Sequence, residues 1–172
     1  MTAPAGNDLL FDEDLCAQGS FFANKVWNAF RLVGMWETGA DKMSPSEALA
    51  VNWMRNRIGE ALIELENSFI KYRLSEALMT TYKLVWDDFC SWYLEMVKPA
   101  RGEKVSAEAL EATKNIFNTL LEIMHPFMPF ITEELWQNLA DRKEGETINF
   151  APWPTLKVED DAILKAFNHF AE

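Results

Sequence analysis

The amino-acid sequence predicts an all-α protein, an antiparallel helical bundle with a short C-terminal extension. Three observations predict this fold class. The chain has 172 residues, a length that suits one domain. Apolar residues make up 49% of it and aromatic residues 13%, which is enough to build a core. Only seven glycines and seven prolines interrupt it, and apolar residues recur at helical spacing in four long stretches, which favours helices.

The first helix is predicted from about Asp14 to Trp36. At about 100° per residue, one arc of this stretch is apolar and carries Phe22, Val26, Phe30 and Val33. The opposite arc is polar and carries Asn24, Asn28 and Arg31, with Lys25 beside them. One face of the helix is therefore expected in the core, and the other is free for solvent, a neighbouring domain or a ligand.

The second helix has a clear predicted start. Ser44 suits the N-cap, Pro45 suits the first helical position, and Glu47 completes a capping box three residues after Ser44. Apolar residues then repeat at helical spacing at Val51, Met54, Ile58, Ala61, Leu62, Leu65 and Phe69. This pattern predicts an amphipathic helix that packs on the rest of the bundle.

Two further long helices are predicted. The third runs from near Arg73 to about Lys98, where Pro99 stops it. Its apolar stripe is wide, which indicates neighbours on two sides, and it contains Leu74, Leu78, Tyr82, Val85, Trp86, Phe89, Trp92, Tyr93 and Met96. The fourth helix opens at Ser106, and its apolar residues are Leu110, Ile116, Phe117, Leu120, Leu121 and Met124.

The pattern changes after the fourth helix. Pro126 and Pro129 interrupt it, and Thr132 is predicted to cap a short helix that ends at Leu139. Residues 147–154 are predicted to be extended because they contain two prolines, and residues 160–170 to be helical. We therefore divide the chain into a helical bundle, 1–146, and a C-terminal part, 147–172, with an extended segment and the start of a truncated helix.

The net charge of −11 argues against a nucleic-acid partner, but its distribution does not. Residues 20–104 hold eleven basic and eleven acidic residues, and residues 20–35 contain Lys25 and Arg31 without any acid. The two cysteines, Cys16 and Cys90, have no CxxC spacing, so neither a zinc site nor a disulfide framework is predicted. The sequence shows no secretory signal and no membrane-length apolar run, so a cytoplasmic location is expected.

A catalytic site is not predicted. His125 lies at a helix break and His169 near the end of the chain, and neither is spaced with Ser or Cys as a base with its nucleophile. The adjacent acidic pairs at 87–88 and 133–134 diverge by about 100° on a helix, so neither forms a two-carboxylate site unaided. No phosphate-binding loop is present. The tryptophans are expected to pack in the core or under a loop, and these are Trp27, Trp53, Trp86, Trp92 and Trp136.

Several short motifs of the chain are specific. They are residues 22–31 (FANKVWNAFR), residues 125–136 (HPFMPFITEELW), residues 93–95 (YLE) with Lys98, and residues 151–154 (APWP). The last three resemble the anticodon-binding domain of class I aminoacyl-tRNA synthetases of the Val, Ile and Leu group. Residues 22–31 resemble the first helix of that domain in the valyl-tRNA synthetase family, whose pattern is FxNKxWNAxR, and residues 4–8 (PAGND) agree with it. One departure stands at residues 20–21, where Ser-Phe replaces the common Arg-Asn.

Residues 42–46 (KMSPS) resemble the KMSKS loop of class I synthetases, which acts on ATP. Here Pro45 replaces the second lysine, and the same residues are predicted to cap the second helix. In the family, the true loop precedes the helical bundle. We therefore interpret this match as a coincidence.

The resemblance implies a function in translation. It implies recognition of the anticodon arm of the tRNA for valine, and it suggests Asn24, Lys25, Asn28 and Arg31 as tRNA-binding residues. The parent enzyme would attach valine to its tRNA with ATP and magnesium in a catalytic domain of the same chain. This fragment would then be an inactive monomer without catalytic residues, metal or cofactor. Two alternatives are an isoleucyl or leucyl counterpart and a helical interaction domain without an RNA ligand.

Overall fold

The computed structural model describes residues 13–100 and 102–158. The prediction of an all-α fold is confirmed. In chain order the elements are α1 (Glu13–Gly34), α2 (Pro45–Ile70), α3 (Leu74–Lys83), a π-helical segment (Leu84–Tyr93), α4 (Leu94–Val97), α5 (Ala107–Met124), α6 (Pro129–Leu139) and a 3-10 turn (Ile148–Phe150). The helix expected over residues 160–170 lies outside the described residues.

The π segment and α5 form the centre of the bundle. The segment packs against α1 and α2, and α5 packs against α1, α2 and α6. Phe89 stacks on Tyr93 and on Phe117 of α5, with ring centroids 5.6 and 5.3 Å apart. The buried hydroxyl of Tyr93 forms a hydrogen bond of 2.7 Å with Thr113, which satisfies both polar groups in the core. Each of these side chains is fully buried, so the centre of the fold is aromatic and inaccessible to solvent.

The predicted third helix is continuous but not uniform. It comprises α3, the π segment and α4, and the backbone N–H of Leu94 donates to the carbonyl of Phe89, five residues earlier. A ten-residue π-helix is longer than the single-turn bulges that are usual in proteins. The hydroxyl of Ser91 donates to the carbonyl of Trp86 at 2.8 Å and so follows the same spacing. The wider turn changes which side chains face α1.

The loop before α2 and the loop before α5 pair with each other. Thr38 and Val105 form a parallel bridge, and the backbone N–H of Gly39 donates to Val105 at 2.9 Å. The capping box is confirmed, since Ser44 Oγ accepts the N–H of Glu47 and the Glu47 carboxylate accepts that of Ser44. We call this region the cap end of the bundle, because α2 and α5 both begin there.

The prediction that Thr132 caps the short helix is wrong. The N-cap lies four residues earlier, at Met128, and Pro129 is in the first turn. Proline suits that place because the first N–H groups of a helix have no intrahelical acceptor. Thr132 instead lies inside α6, and its hydroxyl donates to the carbonyl of Met128 at 2.8 Å. The segment expected to be extended also differs, since Thr147 caps the 3-10 turn.

The C-terminal segment, residues 151–158, lies across α2. Trp153 meets Phe69 edge to face, with ring centroids 5.8 Å apart. A Cβ atom added to Gly59 would lie 3.1 Å from backbone atoms of both Lys157 and Val158, so the segment approaches α2 where α2 has no side chain. No helix in the described part of the chain has the length and apolarity needed to cross a membrane.

Candidate nucleic-acid interface

Helix α1 buries one face and exposes the other. Its inner face is in the core and holds Phe22, Val26, Ala29 and Val33. Asn24, Asn28 and Arg31 are exposed and follow one another at intervals of four and three residues, so they form one line along the outer face. We call these three residues the polar strip. Because the opposite face is committed to the core, the strip presents two amides and one guanidinium to solvent.

Lys25 lies beside the polar strip and faces the π segment. Its Nζ donates to Ser91 Oγ at 3.3 Å and stands 4.1 Å from the centroid of the Trp86 ring. A cation above a tryptophan face is attracted by the electron density of the ring. The structure therefore separates Lys25 from the other three suggested tRNA-binding residues: its ammonium stabilises the packing of α1 on the π segment.

Large apolar side chains flank the polar strip. Phe21 is 64% exposed, Met35 is 67% exposed and Trp27 is 40% exposed. The expectation that Trp27 and Trp92 belong to the core is wrong, since Trp92 is 41% exposed. Residues 21, 24, 28, 31 and 35 follow a helical repeat, so the strip continues into an apolar residue at each end. Sequence reasoning missed Phe21 as a candidate, although its spacing from Asn24 was the available signal.

The remaining tryptophans pack as expected. Trp53 is 2% exposed and Trp136 is 6% exposed. The guanidinium of Arg142 lies 3.5 Å from the centroid of the Trp136 ring, and its Nη2 donates to Asn118 at 2.8 Å. Trp86 is partly buried between Tyr82 and Phe22, with ring centroids 5.5 and 6.4 Å from it. Of the five tryptophans expected in the core or under a loop, only Trp27 lies on α1, beside the polar strip.

Two groups that could serve as base or nucleophile, His125 and Cys90, have structural roles or surroundings instead. His125 Nδ1 lies 2.7 Å from Thr132 Oγ1, and its Nε2 lies 3.0 Å from Asn149 Oδ1, so the imidazole joins α5, α6 and the 3-10 turn. Burial raises the pKa of the Cys90 thiol to about 12, and the nearby charge of Lys25 offsets only part of that effect. A thiol in this state is not a nucleophile near neutral pH.

The two acidic pairs also have structural partners. Asp88 Oδ2 accepts Nε and Nη2 of Arg57 at 3.2 and 2.8 Å, which ties the π segment to α2. Burial raises the pKa of Asp88, although the charge of Arg57 opposes this. Burial acts in the same direction on Glu133, but hydrogen bonds from the side chains of Thr147 and Gln137 and from the backbone N–H of Ile148 outweigh it, so the pKa of Glu133 is lowered. Neither pair presents two free carboxylates to one substrate.

The sequence match defines the class to which this bundle belongs. Residues 51–172 match the family described as the anticodon-binding domain of tRNA ligase, and the chain therefore belongs to that family. This match begins inside α2, so α1 lies before it, but comparisons with individual proteins include α1.

The chain is similar over almost its whole length to proteins named Valine–tRNA ligase. It is 51% identical to that of Christiangramia forsetii in an alignment of 173 positions, which covers 100% of this chain and 20% of the relative. It is 56% identical to that of Phocaeicola vulgatus over 168 residues, 97% and 19% of the two chains. For Carboxydothermus hydrogenoformans the values are 41% over 155 residues, 87% and 17%. The chain spans about a fifth of the length of these curated relatives.

Proposed function

We propose that the chain recognises the anticodon arm of the tRNA for valine, as the helical domain of a valine–tRNA ligase. The observation that carries this proposal is the polar strip of α1 with its flanking apolar residues. An anticodon loop offers unstacked bases, which proteins bind by stacking and by hydrogen bonds to the base edges. The two amides can each donate and accept, and Arg31 can stack or bind a phosphate.

The apolar side chains beside the polar strip also suit the binding of unstacked bases. Phe21 and Trp27 present apolar surface beside Asn24 and Asn28, and base–aromatic stacking contributes about 1–3 kcal/mol per base. Lys25 acts on this surface indirectly, because its bonds to the π segment fix the rotation of α1 about its axis. We therefore assign direct contact to Asn24, Asn28 and Arg31, and a positioning role to Lys25.

The rest of the reaction belongs to other parts of the proposed enzyme. The relatives' names support valine over isoleucine or leucine. We propose that a catalytic domain in the same chain attaches valine to tRNA with ATP and magnesium, in the cytoplasm, and that the protein is a monomer. The KMSPS residues do not fit an ATP loop here, since the N–H of Met43 donates to Glu108 and Ser44 caps α2. We derive no step of the ATP reaction from this domain.

Substitution of the polar strip tests the proposal. Asn28→Ala and Arg31→Ala should each weaken tRNA binding, by about 1–3 kcal/mol per lost contact. Loss of a phosphate contact by Arg31 should also reduce the salt dependence of binding to a single-stranded loop, by about 0.7 in the logarithmic slope. Asn67→Ala and Lys71→Ala are matched controls, because both residues are exposed and lie in or directly after the last turns of α2 rather than on α1.

Three measurements on the same variants of the whole enzyme distinguish the alternatives. We expect reduced aminoacylation with unchanged valine-dependent pyrophosphate exchange and an unchanged melting temperature. A loss of pyrophosphate exchange or of thermal stability would instead place this face against the catalytic domain. Unchanged tRNA binding in both variants would remove the polar strip from the recognition site and favour a helical interaction domain.

A further inference from the structure

A second polar site lies between α2, α5 and the C-terminal segment. It is a pocket of about 250 Å³, several times the volume of ~30 Å³ that one water occupies in the liquid. Its lining is mostly polar and consists of Asn52, Arg55, Asn56, Asn115, Ile116, Thr119, Leu156 and Lys157. No residue of α1 belongs to it, so the pocket is separate from the polar strip.

Among the residues that the structure describes, the pocket lining holds two positive charges and no acidic residue. Neither Arg55 nor Lys157 forms an ion pair or a side-chain hydrogen bond with any residue in the ranges 13–100 and 102–158. Two cations that share a pocket repel each other, and an anion between them converts this repulsion into attraction. In a chain of net charge −11, such a pair with no carboxylate partner in the described part of the chain indicates a ligand that carries negative charge.

Amide groups add neutral donors to these charges. Asn56 donates through Nδ2 to the side-chain oxygen of Asn52 at 3.0 Å and to its carbonyl at 2.9 Å, which orients the Asn52 amide. The Nδ2 group of Asn52 then remains free of hydrogen bonds to the described residues. Asn115 Nδ2 donates to Glu111 at 3.4 Å, which leaves its second hydrogen for a ligand. A guanidinium, an ammonium and two amides together match the acceptor oxygens of an oxyanion.

The backbone of Lys157 packs closely against α2 at Gly59, beside the pocket. Residues 157 and 158 pass over Gly59, and a Cβ there would lie 3.1 Å from the Lys157 carbonyl carbon. The C-terminal segment can approach α2 this closely because glycine leaves the space open. Leu156 and Lys157, which line one side of the pocket, are thus positioned by packing of the chain on α2.

We propose that this pocket binds a phosphate group, with Arg55 as a planar donor of paired hydrogen bonds and Lys157 as a point charge. Arginine matches the geometry of phosphate oxygens, and lysine adds charge without a fixed direction. The site goes beyond the anticodon-arm recognition proposed above, since it uses α2, α5 and the C-terminal segment. The phosphate comes either from an RNA backbone or from a small phosphorylated molecule, and both present the same oxygens.

Titration of the chain with inorganic phosphate, at constant ionic strength, tests the proposal. Nuclear magnetic resonance should show saturable shifts of the side-chain amides of Asn52 and Asn115. Arg55→Gln and Lys157→Gln should each weaken binding about tenfold, whereas Lys71→Gln, an exposed lysine outside the pocket, should leave it unchanged. Shifts that do not saturate, or that are equal in Arg55→Gln and Lys71→Gln, would overturn the proposal.

A competition arm distinguishes the two sources of phosphate. If an RNA backbone fills the pocket, tRNA should displace inorganic phosphate, and Arg55→Gln should lower the salt dependence of tRNA binding. If a small molecule fills it, inorganic phosphate should remain bound when tRNA is added. The phosphate titration itself contains no tRNA, so its failure would be distinguishable from a failure of the polar strip to bind the anticodon arm.

Discussion

Glu47 accepts a hydrogen bond from the backbone N–H of Ser106, 59 residues later in the chain, at 3.0 Å. Its other carboxylate oxygen accepts the N–H of Ser44 at 2.7 Å. One side chain thus satisfies backbone donors at the N-caps of both α2 and α5. Burial opposes the charge of Glu47, but the hydrogen bonds from Ser106 and Ser44 outweigh it, and the pKa of Glu47 falls below its ordinary value.

Replacement of Glu47 by Gln should reduce the free energy of unfolding by about 1–2 kcal/mol at pH 7, since a charged acceptor of two N–H groups becomes neutral. The folded-state pKa is lowered, so the stabilisation is present above the ordinary value of 4.5 and is lost as pH falls through the folded-state pKa. Urea unfolding at pH 7 and pH 3 measures both effects. Glu66→Gln, at an exposed site on the same helix, is the control. If Glu47→Gln changed the free energy of unfolding by the same amount at both pH values, the prediction would be wrong.

Lys25→Met should destabilise the fold by about 1 kcal/mol, because it removes the ammonium above Trp86 and the hydrogen bond to Ser91. Arg31→Met, on the exposed side of the same helix, should change stability by less than about 0.5 kcal/mol. Thermal unfolding of both variants provides the comparison. Equal stability of the two would show that Lys25 does not secure α1 on the π segment.

Thr132→Val should cost about 1–3 kcal/mol although the two side chains have similar shapes. The hydroxyl of Thr132 is buried and is the partner of His125 Nδ1, which would be left without one. Thr119→Val should cost less than about 1 kcal/mol, because among the described residues that hydroxyl bonds only to the carbonyl of Asn115 in its own helix. Chemical denaturation of both variants measures the difference, and similar losses would argue against a bridging role for His125.

Two helical glycines should respond in opposite ways to alanine. Gly19 of α1 has open space around it, so Gly19→Ala should stabilise the protein by up to about 1 kcal/mol through helix propensity. Gly59→Ala should not increase the stability, because the new Cβ would displace the backbone of Lys157 and Val158 and offset the gain in helix propensity. Limited proteolysis should then cut residues 153–158 faster in Gly59→Ala alone. Equal protection of this segment in both variants would mean that it does not depend on Gly59.

The features that the sequence predicted well are those with local causes. The start of α2 depends on Ser44, Pro45 and Glu47, which lie within four residues of each other, and the structure has this capping box. The boundary near Pro99 and the N-cap at Ser106 likewise follow from backbone chemistry at single positions. The inner face of α1 was predictable because its apolar period matches one helix geometry.

The features that the sequence did not predict depend on contacts between distant elements. The π segment has the same apolar residues that an α-helix would use, so periodicity does not distinguish them. Lys25 shares the polar side of α1 with Asn24, and only the position of Trp86 shows that its ammonium is engaged. The phosphate pocket combines α2, α5 and residues 156–157, which no local pattern relates. Its clearest available signal was Gly59 in the middle of an otherwise bulky helix.

The pairing at the cap end has a consequence for how the chain folds during synthesis. The bridge from Thr38 to Val105 and the bond from Glu47 to Ser106 both close loops of roughly sixty residues or more, whereas α2 and α3 meet across one short turn. Closing a long loop costs entropy before its contacts repay it, so such contacts slow folding more than local ones. The helical hairpin of α2 and α3 can therefore form while the ribosome still holds α5. The Glu47 carboxylate can accept the N–H of Ser106 only after that residue has left the ribosome, so the cap end closes after the α2–α3 hairpin has formed.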